Sequence, residues 1–278
     1  MKRINIWGKL FNVIIFVILI SLALSIIIPL LWMIISGFKS NSEFFMKPWS
    51  LPEKWVWENF VVAWENGVAR YFFNSVLVTS VSVVIVLILS SLASYSLSRF
   101  DFKGRNFLFL FILSGLMLAP QVSLIALFKM LQTINLLDTY WALILPYVAF
   151  QIPFAVFLMR SYFLSLPREV EDAAYIDGCN TWSVFWRIIL PMSKPIVLTT
   201  GLLTGMFFWN EFMFALAFIE SSELRTIPVG LMNLRSQLGT NYGVLLAGLF
   251  MATIPMIIVF IIFQKHFIKA LSDGGVKG

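Results

Sequence analysis

Apolar residues run along this chain in long blocks, without the 3.6- or 2-residue alternation of a half-buried helix or strand. Six blocks stand out, at about 13–35, 72–97, 107–130, 140–163, 195–219 and 242–267. A stretch of about 20 apolar residues, rising about 1.5 Å each, crosses a hydrocarbon core of about 30 Å. The pattern therefore predicts an all-α membrane protein with six transmembrane helices, organised as a single domain over residues 1–278. The third block is interrupted by Pro120 and Gln121. A proline frees a carbonyl and kinks the rod, which neighbours in a bundle can tolerate.

Composition agrees with the blocks. Hydrophobic residues make up 60% of the chain and charged residues 12%, against about 25% charged in a soluble domain. The first block follows Lys2, Arg3 and Lys9, is too long for a signal h-region, and has no small-x-small cleavage site after it. It is expected to be an uncleaved first span. With the N-terminus inside, thirteen of the twenty Lys and Arg residues fall in inner segments and seven in outer ones. The positive-inside rule then puts both termini in the cytoplasm. Trp32, Trp57, Trp141 and Trp209 lie near expected span ends or in outer segments, where interfacial anchors belong.

Several classes of function are excluded or weakened. One cysteine, Cys179, allows no internal disulfide, and one histidine, His266, with no Cys/His cluster, gives no metal site. The net charge of +6 is not gathered into a basic stripe on a soluble face, so nucleic acid is not an expected partner. No intramembrane histidine, aspartate pair or His-Glu-x-x-His is present, so no catalytic residue is expected. A Gly-x-x-x-x-Gly-Lys-Ser/Thr phosphate loop is also missing, so any ATP chemistry must come from another chain.

The inner segment 160–194 has a helical pattern of its own. Pro167 suits a first helical turn, and Glu169, Glu171 and Asp172 follow where the helix dipole favours anions. Ala173 and Ala174 give a narrow surface, and Asp177-Gly178 closes the helix through a left-handed cap. Asn180 or Thr181 can cap a second helix, whose apolar face is expected at Trp182, Phe185, Trp186 and Ile189 and whose end is expected at Leu190-Pro191. Two uses fit this pattern: a docking element for a partner, or an interfacial helical hairpin with none.

These residues resemble the EAA loop of ABC importer permeases: Glu-Ala-Ala, three residues, Gly, nine residues, Ile-x-Leu-Pro. Here the pattern reads Asp172-Ala173-Ala174, then Gly178, then Ile188-Ile189-Leu190-Pro191. Asp172 stands where Glu is usual, and Cys179 where a small residue, often Ala, is usual. The rest of the chain is similar to the carbohydrate-uptake branch, in the manner of the maltose permease G component. The similarity rests on Asn59-Phe60, Phe73-Asn74-Ser75-Val76, Ala93-Ser94-Tyr95 through Arg99-Phe100, Thr139-Tyr140-Trp141, Trp209-Asn210-Glu211-Phe212 and Ile227-Pro228-Val229-Gly230. Ala126 departs from it, where relatives often have proline.

The resemblance implies a type I ABC importer permease bundle with a cytoplasmic coupling helix. It implies a second permease subunit, two ATPase subunits that carry ATP and Mg, and an extracytoplasmic sugar-binding protein, with no cofactor on this chain. It assigns ATPase coupling to Glu171, Asp172, Ala173, Ala174, Asp177, Gly178, Leu190 and Pro191. It maps a binding-protein contact onto the last outer loop, through Arg225, Leu234, Gln237 and Tyr242.

Asn210, Glu211 and Gln121 are polar at membrane depth, where a charge costs roughly 2.5–3.5 kcal/mol on insertion scales. They suit either a substrate pathway or a bond to a neighbouring helix; Gln151 poses the same choice. Gly201 and Gly205 have the spacing of a close helix approach. Two alternatives to a sugar permease stay open: a permease for a related solute such as a glycerol phosphate, and a self-contained transporter, whose internal repeats the sequence does not display.

Overall fold

The computed structural model describes the backbone of residues 6–237 and 241–275 and the side chains of residues 11–232 and 241–264. The helices, in chain order, are α1 (Ile6–Gly37), α2 (Asn41–Met46), α3 (Glu58–Ala63), α4 (Ala69–Arg99), α5 (Arg105–Ser114), α6 (Leu124–Thr133), α7 (Tyr140–Ser165) and α8 (Glu169–Ile176). They continue with α9 (Thr181–Met192), α10 (Lys194–Trp209), α11 (Met213–Phe218), α12 (Ile227–Gln237) and α13 (Tyr242–Gly275). Among the described residues, four helical stretches are long and apolar enough to cross a membrane: Phe11–Gly37, Glu58–Arg99, Tyr140–Ser165 and Tyr242–Gln264. They match the first, second, fourth and sixth expected spans to within a few residues, apart from the second, whose helical stretch begins earlier.

The described residues form two compact units. One takes in the residues up to Val68 together with Leu231–Thr253; the other takes in Ala69–Gly230 and the residues from Ile254 on.

In the first unit, α1 leaves its side chains from Phe11 to Leu31 exposed in the isolated chain, as a helix facing lipid or another subunit must. Its end is tightly folded. Lys39 is fully buried, and its Nζ donates to the carbonyls of Lys47 (2.8 Å) and Pro48 (3.0 Å). Burial holds this ammonium below the usual lysine range. Asn59 Nδ2 donates to Gly37 O and Lys39 O, each at 2.9 Å. Gly243 is the residue that lets these strands of chain meet, because a Cβ there would sit 2.4 Å from Lys39 O.

In the second unit, α4 packs most extensively on α7, and α10 lies against both. Lipid is as apolar as leucine, so small residues and close packing, rather than the hydrophobic effect, hold such helices together. Accordingly α4 buries Ser75, Ser82, Ser90, Ser91, Ser94 and Ser98. Ser94 Oγ also donates across to Val156 O at 3.2 Å, although one such bond contributes only about 0.6 kcal/mol. The predicted close approach at Gly201 and Gly205 is present: Cβ atoms there would lie 3.2 Å from Leu87 and 3.6 Å from Val83. The larger aromatic core gathers Tyr147, Phe208, Phe214 and Phe218 around Val78 and Leu143.

Two expected spans are not straight rods. The third consists of two arms, Arg105–Met117 and Pro120–Thr133, bent by 86°. Leu118 and Ala119 are extended before Pro120, as the residue before a proline prefers. The fifth stops at Trp209 and restarts at Met213, for the reason given below. Trp209, expected as an interfacial anchor, is instead buried, with its ring 5.9 Å from Phe72.

Candidate functional site: the loop between the fourth and fifth spans

The local structure of this loop follows its local sequence. Helix α8 carries Glu169, Glu171 and Asp172 in its first turn. It ends at Gly178, whose φ is +83°, in the left-handed region where a Cβ is unfavourable. There Gly178 N donates to Tyr175 O (3.1 Å) and Cys179 N to Ala174 O (2.9 Å), satisfying carbonyls the helix end leaves open. Asn180 Oδ1 then accepts from Ser183 N at 2.8 Å and caps α9. Of the two capping residues the sequence allowed, Asn180 is the one used.

Two features of α9 differ from expectation. Its expected apolar face is split: Phe185 and Ile189 are buried, while Trp182 and Trp186 are 60% and 41% exposed. A π turn at Phe185–Ile189 shifts the helical phase within that stretch. Nor does the helix end at Leu190-Pro191. It runs to Met192, and the chain then bends by 75° into α10. In the wider π turn Leu190 N bonds to Phe185 O, so the ladder is already rearranged before the proline arrives.

The underside of the loop is a compact apolar cluster. Ala174, Val184, Phe185 and Ile189 pack with Tyr95 of α4, Met159 and Phe163 of α7, and Ile196 of α10. Beneath it lies a buried ion pair. Glu171 Oε1 is 2.5 Å from Arg99 Nε, and both side chains are 6% exposed; the two atoms meet without hydrogen-bond alignment. Tyr95 Oη donates to Glu171 Oε2 at 3.4 Å, and Arg99 Nη2 donates to Leu166 O at 3.1 Å. Burial pushes the Glu171 carboxyl above the usual range, with Arg99 opposing the shift.

Glu171 therefore does not present its charge on the outer surface, where sequence reasoning had placed it with Asp172. The helical phase turns Glu171 inward. Glu169, Asp172, Ala173, Tyr175, Ile176, Asp177 and Gly178 are exposed, Pro191 is exposed, and Ala174 is buried. Arg99 and Tyr95 were not among the expected site residues. Their only signal was their place in the Ala93-to-Phe100 stretch that carried part of the resemblance.

In the break of the fifth span, Glu211 is half-buried and accepts three hydrogen bonds. It accepts from Tyr147 Oη (2.6 Å), Phe214 N (2.8 Å) and Ala215 N (3.2 Å). It caps α11 from inside the break in the fifth span. Asn210 is exposed, and its amide donates back to Met206 O at 2.7 Å. Gln121 is exposed beside Pro120 and is not brought near Glu211 by any described contact. Gln151 is buried, its amide 3.5 Å from Thr204 Oγ1.

At the other end of the second unit, polar side chains fold the last long loop down. Asn74 Nδ2 donates to the carbonyls of Glu223 (2.7 Å) and Arg225 (2.9 Å), while Tyr140 Oη donates to Asn74 Oδ1 (2.8 Å). Asp138 accepts from the amides of Glu220 (3.0 Å) and Ser221 (2.9 Å) and from the Ser221 hydroxyl. Arg225 is partly buried and donates to Glu220 O. In the first unit, Tyr242 stacks on Phe44, with ring centroids 5.1 Å apart. The side chains of Leu234 and Gln237 lie outside the described residues.

The fold and site together are a helical membrane bundle with a glycine-closed helical loop standing on the ends of its spans, and the family comparison identifies this arrangement as a transport permease. The chain belongs to the family described as the binding-protein-dependent transport system inner membrane component, which it matches over residues 87–273. It is 53% identical over 255 residues to a probable ABC transporter permease protein, YurM, of Bacillus subtilis, covering 92% of this chain and 85% of the relative. It is 40% identical to the arabinooligosaccharides transport system permease protein AraQ of Halalkalibacterium halodurans, covering 91% of each. Its fold matches a crystal structure of a bacterial ABC transporter involved in the import of the acidic polysaccharide alginate, with TM-score 0.84 and 24% identity over 96% of this chain and all of that one. The fold is that of a type I ABC importer permease.

Proposed function

We propose that this chain is one of two permease subunits of an ATP-driven importer for a carbohydrate, an oligosaccharide or sugar. The observation that carries the proposal is the exposed acidic and small-residue face of α8, presented at a left-handed glycine turn and standing on the ends of α4, α7 and α10. A rigid, self-capped helix of this kind suits a groove on an ATPase, and the name of the arabinooligosaccharide relative supports the solute class.

In this reading the chain is a single transmembrane domain over 1–278 with both termini cytoplasmic. It has no catalytic residue and no cofactor of its own. Two partner ATPases bind ATP and Mg, grip Asp172, Ala173 and the Gly178 turn, and bias the bundle between two states. An extracytoplasmic binding protein delivers the sugar to the opposite end, where Arg225, Leu234, Gln237 and Tyr242 lie on or beside the last outer loop. Asn210, Glu211 and Gln121 are the polar side chains assigned to the solute pathway in this reading, with Asn210 and Gln121 exposed and Glu211 half-buried in the isolated chain.

A mild-detergent pull-down of the tagged chain from its host, followed by mass spectrometry, tests the proposal. An ATPase with a phosphate loop, a second permease and a binding protein stabilised by arabinotriose or another neutral oligosaccharide are the expected companions. A chain that purifies alone in several detergents overturns the reading in favour of a self-contained transporter. A binding protein stabilised only by glycerol phosphate keeps the importer and replaces the solute. Asp172→Lys should reduce ATPase recovery in the same pull-down.

A further inference from the structure

We propose that Arg99 and Glu171 form a buried strut that makes the coupling helix move with the second span, so that Arg99 is a positioning residue of the transport cycle. The proposal rests on the importer reading above.

Arg99 is the last residue of α4, and one guanidinium holds two parts of the loop. Its Nε meets Glu171 in the first turn of α8 at 2.5 Å. Its Nη2 holds the carbonyl of Leu166, the residue before Pro167, where the chain leaves α7 for the loop. Tyr95, one turn earlier on α4, donates to the other Glu171 oxygen. The same end of α4 is tied to α7, because Arg160 Nε donates to Leu97 O at 3.2 Å.

Apolar contacts are non-directional and allow elements to slide over one another. The Arg99 Nη2 bond to Leu166 O and the Tyr95 hydroxyl's bond to Glu171 are directional, and the close Arg99–Glu171 ion pair adds attraction between the two elements where water is excluded. A pull on the exposed face of α8 is therefore delivered to α4 through Arg99, in addition to the apolar cluster under α9. Of the two acids expected to meet the ATPase, Glu171 is spent inside the chain, and Asp172 is left outward together with Glu169.

The purified importer, reconstituted in proteoliposomes with its copurified binding protein, tests this. The variants are Arg99→Lys, Glu171→Gln and the paired Arg99→Met with Glu171→Met. The pair matters because single changes leave a buried charge alone, whereas an apolar pair of similar volume commonly preserves stability. The readouts are recovery of the assembled complex, its melting temperature, and radiolabelled oligosaccharide moved per ATP hydrolysed, using the sugar taken by the binding protein in the screen above.

The expected result for the paired variant is normal assembly and melting with a roughly tenfold fall in sugar moved per ATP, within the usual range for coupling between sites. Arg99→Lys should fall between wild type and the paired variant, since lysine keeps the charge and loses the fork. A paired variant with the wild-type ratio overturns the strut, as does a loss that only tracks the amount of assembled complex. Sugar-stimulated hydrolysis by the wild type upholds the importer reading whichever way the variants behave; its absence would overturn that reading and the strut with it.

Discussion

Glu211, in the break of the fifth span, accepts the hydroxyl of Tyr147 from the fourth span at 2.6 Å while also capping the amides of Phe214 and Ala215. One carboxylate thus starts the helix segment that follows the break and ties it to a neighbour. Glu211→Ala should destabilise the purified chain more than Tyr147→Phe does. The alanine loses a helix cap, about 1 kcal/mol, and leaves a buried tyrosine hydroxyl unpaired at about 1–3 kcal/mol. The phenylalanine removes the hydroxyl and leaves the cap in place. Thermal unfolding in detergent gives the order; equal effects from the two variants would remove the cap from the account.

Gly178 closes α8 with a φ of +83°, and a Cβ at that position would meet nothing within 4 Å. The cost of substitution is therefore conformational, about 1–2 kcal/mol for a non-glycine residue in this region, and it is worst for a β-branched one. Gly178→Val should insert into the membrane normally and lose uptake, whereas Gly178→Asn should keep more of it, since asparagine tolerates the left-handed region. Normal uptake by the valine variant would speak against a coupling role for the turn.

Gly230 poses the opposite problem, a steric one. A Cβ there would lie 2.1 Å from Cδ2 of the buried Tyr71 ring. Gly230→Ala should lower stability by about 1–3 kcal/mol, as overpacking does. Tyr71→Ala is destabilising by itself, but combined with Gly230→Ala it should cost less than the two losses added together, because it opens room for the methyl group. If the double variant shows only the sum of the two losses, the contact is not the cause.

Asp138 should make the loop it holds sensitive to acid. The Ser221 hydroxyl, with the amides of Ser221 and Glu220, keeps this carboxyl below the usual aspartate range against the effect of burial. A carboxyl with a depressed folded-state value contributes stability above its ordinary value, about pH 4, and loses that contribution as pH falls through the folded one. Asp138→Asn is the suitable control, because the residue sits at a φ of +56° that asparagine also adopts. Wild type should be the more stable at neutral pH, and the two melting curves should converge below about pH 4. Parallel curves across the range would exclude the linkage.

Much of this protein is legible in its sequence. The apolar blocks locate the four long spans, because hydrocarbon offers no partner for backbone groups and only about 20 apolar residues in a helix will cross it. The loop's glycine turn and asparagine cap are equally visible, since both depend on the conformational preferences of Gly178 and Asn180 and on amides a few residues away. The spacing from Asp172 to Pro191 is by itself sufficient to mark the resemblance to ABC importer permeases.

Other features depend on residues far apart in the chain. Glu171 and Asp172 are adjacent acids that the sequence treats alike, yet only Glu171 faces Arg99 and is buried. The same holds for the broken fifth span, where Asn210 and Glu211 interrupt the apolar run but do not by themselves specify a stop, and for Glu211, whose role depends on Tyr147. Local propensity and composition determined the spans and the caps of the loop. The direction each charged side chain faces, and hence which acid serves the surface and which serves the interior, was decided only by the tertiary structure, because helical phase has meaning only relative to the helix packed beside it.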